Sequence, residues 1–92
     1  MADDILIANV GMSSGSVVYW QVPQNTCSIA FHAKGGDVLF TGERNDVGAP
    51  TWTVKEGDKE VLNGRAFQGK TLCFSGVTGV VLEIRYILGF MQ

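Results

Sequence analysis

Gly64-Arg65-Ala66-Phe67-Gln68-Gly69-Lys70-Thr71 is the stretch that decides the fold of this chain. It matches the pattern G-x-x-x-x-G-K-[ST], in which a glycine loop and the start of a long helix hold the phosphates of a nucleotide. The following segment, 72–82, contains three valines, a threonine, a cysteine and two glycines, which are poor helix formers. The sequence therefore predicts a turn and then a strand, and the pattern match is interpreted as accidental.

Two further features of a nucleotide-hydrolysing domain are missing from the sequence. No apolar segment ends in an Asp that could bind magnesium. A chain of 92 residues is also too short for several βαβ units, since each takes about 30 residues. We therefore predict turns at Asn63-Gly64 and Gln68-Gly69, with Lys70 as a solvated charge at the edge of a strand. No nucleotide or other cofactor is expected.

The composition is that of one small globular domain spanning residues 1–92. Charged residues make up only 17% of the chain, below the usual share of about 25%, so we expect partners to cover part of the surface. The net charge of −2 and the lack of a basic stripe argue against a nucleic-acid partner. No apolar run reaches about 18 residues, so no membrane span is expected. The acidic start at Asp3-Asp4 is unlike a secretory signal, which favours folding in the cytoplasm.

The alternation of apolar and polar residues indicates an all-β fold. Short segments rich in β-branched and aromatic residues recur every 8–12 residues or so, separated by glycine-rich or polar turns. The predicted strands are 5–10, 16–22, 27–34, 37–41, 51–55, 60–62, 70–75 and 80–88. About eight short antiparallel strands are typical of a small β-sandwich of the jelly-roll kind.

Two hairpins are predicted within this series. Gly35-Gly36 suits a tight two-residue turn, which would pair Lys34 with Asp37 and Phe31 with Phe40 across neighbouring strands.

The second predicted hairpin turns at Val77-Thr78 and pairs Cys73 with Leu82. It also places Lys70 opposite Arg85, and because like charges repel, the register could differ by one residue.

The sequence contains no recognisable catalytic or metal site, and the chain is not expected to be an enzyme. His32 is the only histidine and is predicted to be a solvated or partner-facing ring. The acidic residues 56, 58 and 60 lack the EF-hand pattern and are interpreted as a solvated turn. Cys27 and Cys73 lack metal-like spacing, so we predict buried free thiols, with a disulfide as the alternative.

Both ends of the chain contain segments that are apolar on two faces. An exposed chain end would not favour such a pattern, so these segments are predicted to contact partners. The candidate interface residues are Ile5, Ile7, Val10, Ile87, Leu88, Phe90 and Met91.

The second half of the chain resembles a type of small bacteriophage virion protein. The resemblance covers about forty residues and rests on Trp52-Thr53-Val54-Lys55-Glu56-Gly57, Leu62, Gln68-Gly69-Lys70-Thr71-Leu72-Cys73-Phe74 and Val80-Val81-Leu82-Glu83-Ile84. It implies a non-enzymatic capsid decoration or cement protein, located in the virion and assembled in the host cytoplasm. The implied partner is the major capsid protein, and a homo-oligomer is expected, with a trimer favoured.

The aromatic residues leave a second function open, that of a binding module. Tyr19, Trp20 and Trp52 could form a platform that binds a glycan or a host surface, although aromatic side chains in strands more often pack in the core.

Overall fold

The structure, a computed structural model, describes residues 4–43 and 50–89. Within these ranges the protein is all-β, with eight strands and one turn of 3₁₀ helix at Gly64–Phe67. The strands are β1 (Asp4–Gly11), β2 (Val18–Gln21), β3 (Thr26–Lys34), β4 (Val38–Gly42), β5 (Trp52–Val54), β6 (Lys59–Asn63), β7 (Thr71–Ser75) and β8 (Val81–Leu88). The predicted all-β class and the approximate number of strands are confirmed.

The strands form two four-stranded antiparallel sheets. The order is β1-β8-β3-β6 in the first sheet and β2-β7-β4-β5 in the second. The pairs β1–β8, β2–β7, β3–β6 and β4–β5 join the first strand to the last and continue inward to the middle of the chain. The chain is thus folded in half, like one long hairpin. This hairpin is rolled up, and additional β3–β8 and β4–β7 pairs complete the sheets. The result is the jelly-roll arrangement of a β-sandwich, as the sequence predicted.

The core lies between the inner faces of the two sheets. Phe31 comes from the first sheet, and Phe40 and Phe74 come from the second. The ring centroid of Phe31 lies 5.6 Å from that of Phe40 and 5.3 Å from that of Phe74, and both pairs have edge-to-face geometry. Such pairs contribute about 0.5–1.5 kcal/mol each beyond the apolar area that they bury. Phe40 is half-buried, and the fully buried side chains include Ile29, Val38, Val54, Leu72, Leu82 and Ile84.

The first predicted hairpin is wrong, because β3 and β4 belong to different sheets. β3 pairs with β6 and β8, and β4 pairs with β5 and β7. The turn at Gly35-Gly36 instead carries the chain from one sheet to the other, with φ angles of 88° and 156°. Phe31 and Phe40 do contact each other, as the hairpin required, but they do so across the core.

The second predicted hairpin is wrong for the same reason. β7 lies in the second sheet, where Cys73 is the partner of Tyr19, and β8 lies in the first sheet. Within β8, Leu82 and Ile84 share the buried face. In β7, however, the residues that join this core are Leu72 and Phe74, which the hairpin placed on the opposite face from Leu82.

A bulge in β3 changes which residue is buried at its start. The register of β3 against β8 shifts between Thr26 and Ser28. Thr26 is consequently fully buried, and Cys27, which regular alternation would place inside, is half-buried. The bulge shows why simple period-two alternation fails at this point.

The 64–71 stretch has the turn-and-strand structure that was predicted. Asn63 caps the 3₁₀ turn by accepting a hydrogen bond from the backbone N–H of Arg65, at 3.1 Å. Gly69 then adopts a positive φ of 74°, and β7 begins at Thr71. A strand and not a helix follows Lys70 directly, so the loop-to-helix geometry that holds phosphate groups is not formed. In the described part of the chain, no helix is long and apolar enough to cross a membrane.

Candidate functional site

The outer face of the first sheet carries an exposed apolar patch at its β1 edge. Ile5 lies opposite Ile87, and Ile7 lies opposite Arg85. Ile5 is 64% exposed and Ile7 is 72% exposed. We call Ile5, Ile7 and Ile87 the isoleucine face. Large apolar side chains exposed side by side on a sheet are typical of a surface that a partner covers.

The strand that carries most of this face is also an edge strand. β1 pairs with β8 on one side, and no other strand in ranges 4–43 and 50–89 pairs with it on the other. It is eight residues long, and no residue from 5 to 11 is charged. Native proteins usually protect long edge strands with charges, prolines or bulges, because unpaired N–H and C=O groups attract other strands.

The rest of the outer face has a shallow depression beside the isoleucine face. Its volume is about 270 Å³, and its lining includes the small side chain of Ala30. Its rim includes Ile7, His32, Lys59, Glu83 and Arg85. On the far edge, Val61 of β6 lies opposite Ala30 and is 69% exposed. The apolar character thus extends in one row from β1 to β6, interrupted by Arg85.

His32 and Glu83 form the polar part of this face. They are cross-strand neighbours, and the Glu83 carboxylate accepts a hydrogen bond from Nδ1 of His32 at 2.8 Å. Both side chains are more than one-third exposed, so the pair contributes only a little to stability. Its effect is to fix the orientation of the imidazole next to the depression. The partial exposure of the ring agrees with the prediction of a solvated or partner-facing histidine.

The structure separates the predicted interface residues into three groups. Ile5, Ile7 and Ile87 come together on the outer face. Val10 packs against the core from the inner face, because it is an odd number of residues away from Ile5 and Ile7. Leu88 is half-buried at the end of β8. Residues 90 and 91, a phenylalanine and a methionine, lie outside the described residues.

Val61 is part of this surface but was not among the predicted interface residues. The alternation of β6 carries a signal, since Glu60 and Leu62 point one way and Val61 the other. Only the pairing of β6 with β3 shows that Val61 and the isoleucine face share a sheet.

The three aromatic residues proposed as a platform do not lie together. Trp20 is half-buried and packs edge-to-face on Tyr86, with ring centroids 5.2 Å apart. Tyr19 is 52% exposed on β2, and Trp52 is 61% exposed on β5. β2 and β5 are the opposite edges of the second sheet, about 14 Å apart at a strand spacing near 4.8 Å.

Trp52 instead borders a groove at the open side of the sandwich. There, β5 at the edge of the second sheet faces β6 at the edge of the first. The groove has a volume of about 330 Å³. It is lined by Phe31, Phe40, Trp52, Val54, Glu60, Val61 and Leu62. We call this space the β5–β6 groove.

The cysteines are free thiols, as predicted. Cys27 is half-buried and donates a hydrogen bond from Sγ to the carbonyl oxygen of Ile87, at 3.4 Å. Cys73 is buried, and this burial, together with the nearby Glu43 carboxylate, raises the pKa of its thiol. A buried thiol with a raised pKa is a poor nucleophile. No group of three or more His, Cys, Asp or Glu side chains within the described residues is arranged to hold a metal ion.

A scan against protein-family models finds no match, and a search of the curated proteins finds none either. Among solved structures, the chain is similar to one described as "Solution NMR structure of a de novo designed double-stranded beta-helix". The TM-score is 0.40 and the identity is 14%, over 94% of this chain and 96% of that chain. At this level the similarity carries no conclusion about function, and the fold assignment depends on the strand order described above.

Proposed function

We propose that the protein is a non-enzymatic structural component of a tailed-phage virion, a capsid decoration protein that binds neighbouring copies of itself and stabilises contacts between major capsid subunits. The observation that carries the association is the isoleucine face on an unprotected edge strand. The virion setting is supported by the resemblance of residues 52–84 to small phage virion proteins.

The physical driving force for association is burial of the isoleucine face. Transfer of an exposed isoleucine side chain into an apolar contact stabilises a complex by about 1.5–3 kcal/mol. Ile5 and Ile7 are both mostly exposed, so they offer a substantial part of the free energy that a weak contact requires. Contacts of this size become strong when many copies engage together on one particle.

The occupant that we assign to this face is another copy of the same chain. The first sheet has two free edges, β1 and β6, and their outward side chains, Ile7 and Val61, lie in one cross-strand row. If β1 of one copy joins β6 of the next, unlike edges meet, and such contacts generate rings when the rotation closes. In a closed trimer, both edge strands of the first sheet are paired in every copy. The remaining surface of the trimer would face the capsid subunits.

Light scattering over a concentration series tests the association. We expect a particle of three times the 9.9 kDa chain mass. Replacement of Ile7 by Lys should shift the protein to monomer, because a charge would then lie in the contact. Val77→Lys is the matched control, since Val77 is also exposed (61%) but lies in the loop before β8. A wild-type protein that stays monomeric at every concentration contradicts self-association.

Binding to capsids tests the virion role separately. The protein would be mixed with phage capsids that lack their decoration protein and sedimented with them. We expect wild type and Val77→Lys to co-sediment and Ile7→Lys to bind less, because avidity requires the oligomer. A trimer that fails to bind any tailed-phage capsid would refute the virion role but would leave self-association standing.

A glycan- or host-surface-binding module is the alternative function. The exposure of Trp52 beside the β5–β6 groove favours it, although Tyr19 and Trp20 lie elsewhere. Stacking of a sugar on Trp52 should change the tryptophan emission when glycans are added. Tryptophan emission that does not change with any glycan of a test panel would exclude this alternative.

A further inference from the structure

The β5–β6 groove contains a carboxylate that is directed toward the inside of the sandwich. Glu60 is the cross-strand partner of Phe31, which is fully buried, so both side chains lie on the inner face of the first sheet. Glu60 is half-buried, whereas its neighbours Lys59 and Val61 are exposed on the opposite face. A charged side chain on the inner face of a sheet is unusual and needs a physical reason.

Glu60 has no cationic partner within the described residues. The ion pairs His32–Glu83 and Lys70–Glu43 do not include it, and no hydrogen bond involves the Glu60 carboxylate in ranges 4–43 and 50–89. A half-buried carboxylate without a partner favours a cation that enters the groove, because the surrounding apolar walls weaken the screening by water.

Aromatic rings line the same groove. Phe40 lies on β4 directly opposite Trp52 of β5, and both side chains face the groove. Aromatic faces attract organic cations, with Trp the strongest, and quaternary ammonium groups are the typical ligands of such sites. The groove volume of about 330 Å³ lies within the range of small-molecule sites, about 300–1,000 Å³.

We propose that the β5–β6 groove binds a small organic ammonium ligand, with its cationic head beside Glu60 and its apolar or aromatic part between Phe40, Trp52 and Leu62. The charge of Glu60 selects a cation, and the rings favour one with a methylated nitrogen over a hydrated ammonium. The groove shares strand β6 and Val61 with the proposed contact between copies, but the inference is argued from Glu60, Phe40 and Trp52 and not from that contact.

A second explanation for Glu60 makes a different prediction. Inward-pointing charges on edge strands also prevent unwanted strand pairing. If this were the only role of Glu60, its neutralisation would strengthen the pairing of β6 with other strands and would leave ammonium binding unaffected.

Fluorescence of Trp52 provides the direct test, because the chain has only two tryptophans. The conservative change Trp20→Phe leaves Trp52 as the sole tryptophan reporter. Benzyltrimethylammonium is the probe, and benzyl alcohol is a neutral compound with the same ring. We expect a saturable change in emission with the cation and at least about fivefold weaker binding of the alcohol.

The matched carboxylate variants complete the test. In the Trp20→Phe background, Glu60→Gln should weaken binding of the cation about five- to tenfold, and Glu56→Gln, at an exposed turn position, should leave it unchanged. Backbone amide NMR shifts should locate the ligand at β5 and β6. The proposal is overturned by a wild-type groove that shows no saturable binding, by equal binding of cation and alcohol, or by a folded Glu60→Gln variant with unchanged affinity.

Discussion

At the scale of single residues, Gly64 has the most restricted position in the 64–71 stretch. It is buried beneath the β3 bulge, and a Cβ atom added to it would lie 2.7 Å from both the backbone nitrogen of Ser28 and Cγ2 of Thr26. Gly64 is thus required by close packing against a neighbouring strand, and not by the approach of a phosphate group.

Gly64→Ala should therefore destabilise the fold. We expect a loss of about 1–3 kcal/mol in the free energy of unfolding, because the atoms that would clash belong partly to the backbone and cannot move easily. Gly11→Ala is the control, since no atom lies within 4 Å of its added Cβ, and it should change stability by less than about 0.5 kcal/mol. Urea denaturation measures both. Equal stability of the two variants would contradict the packing described here.

Cys73 should make the stability of the protein decrease at high pH. Burial, and to a smaller extent Glu43, raises the pKa of its thiol above the ordinary value of 9.0. As the pH rises past that value, the unfolded chain loses the thiol proton while the folded protein keeps it, so the unfolded state is favoured. The stabilisation is complete below about pH 9 and is lost progressively above it.

The measurement is the melting temperature between about pH 8 and about pH 10. Cys73→Ala should show a shallower decrease than wild type above about pH 9, because it lacks the buried thiol whose pKa is raised. Cys27→Ala is the control for the loss of a thiol and should retain the wild-type slope. A Cys73→Ala slope identical to that of wild type would show that this thiol does not contribute.

At the scale of secondary-structure elements, the turn at Gly64–Phe67 and strand β7 replace the loop and helix of a nucleotide site. Lys70 lies just before β7 and interacts with Glu43, with Nζ and Oε2 3.5 Å apart. The backbone N–H groups of β7 pair with β2 and β4, so they cannot surround a phosphate group.

Nucleotides should consequently leave the stability unchanged. A ligand that binds the native state raises the melting temperature, so we expect no shift with ATP, GTP or their magnesium complexes. Lys70→Ala should change the free energy of unfolding by less than about 0.5 kcal/mol and should therefore melt close to wild type, since exposed ion pairs contribute little. Differential scanning fluorimetry provides both values, and a nucleotide-dependent increase that Lys70→Ala abolishes would reverse the interpretation of this stretch.

At the scale of the whole molecule, the fold is dominated by pairing between residues far apart in the sequence. Strand β1 pairs with β8, which brings Asp4 opposite Leu88 at the two ends of the described chain. β2 pairs with β7 in the same way. Among the eight strands of the described residues, only β4 and β5 are both paired and consecutive in sequence, and residues 43–51 separate them.

This topology predicts slow folding for a chain of this length. The entropy of closing long loops must be lost before the pairs β1–β8 and β2–β7 form, and all-β domains of this kind fold in roughly milliseconds to seconds. Stopped-flow refolding followed by tryptophan fluorescence should give a rate in that range. Complete refolding within microseconds would be inconsistent with pairing between the chain ends.

The sequence by itself determined the fold class, most strand positions and the strand at β7, because each depends on local properties: alternation, β propensity, turn residues and poor helix formers. It also made Ile5, Ile7 and Ile87 candidate contact residues, since their segments are apolar on both faces. The direction of Val10 follows from the same alternation, but only the pairing of β1 with β8 showed which side of the strand is the inside.

Only the tertiary structure decided which strands pair. Gly35-Gly36 is compatible both with a tight hairpin and with a crossing between sheets, because glycines accept the backbone angles of either. The alternation of Phe31 and Phe40 is also the same in both cases. The choice is made by burial: the crossing places Phe31, Phe40 and Phe74 in one core between two sheets, and a local hairpin would bury them on one face only. The position of Glu60 in the β5–β6 groove depends on the same pairing, so no local pattern in the sequence could reveal it.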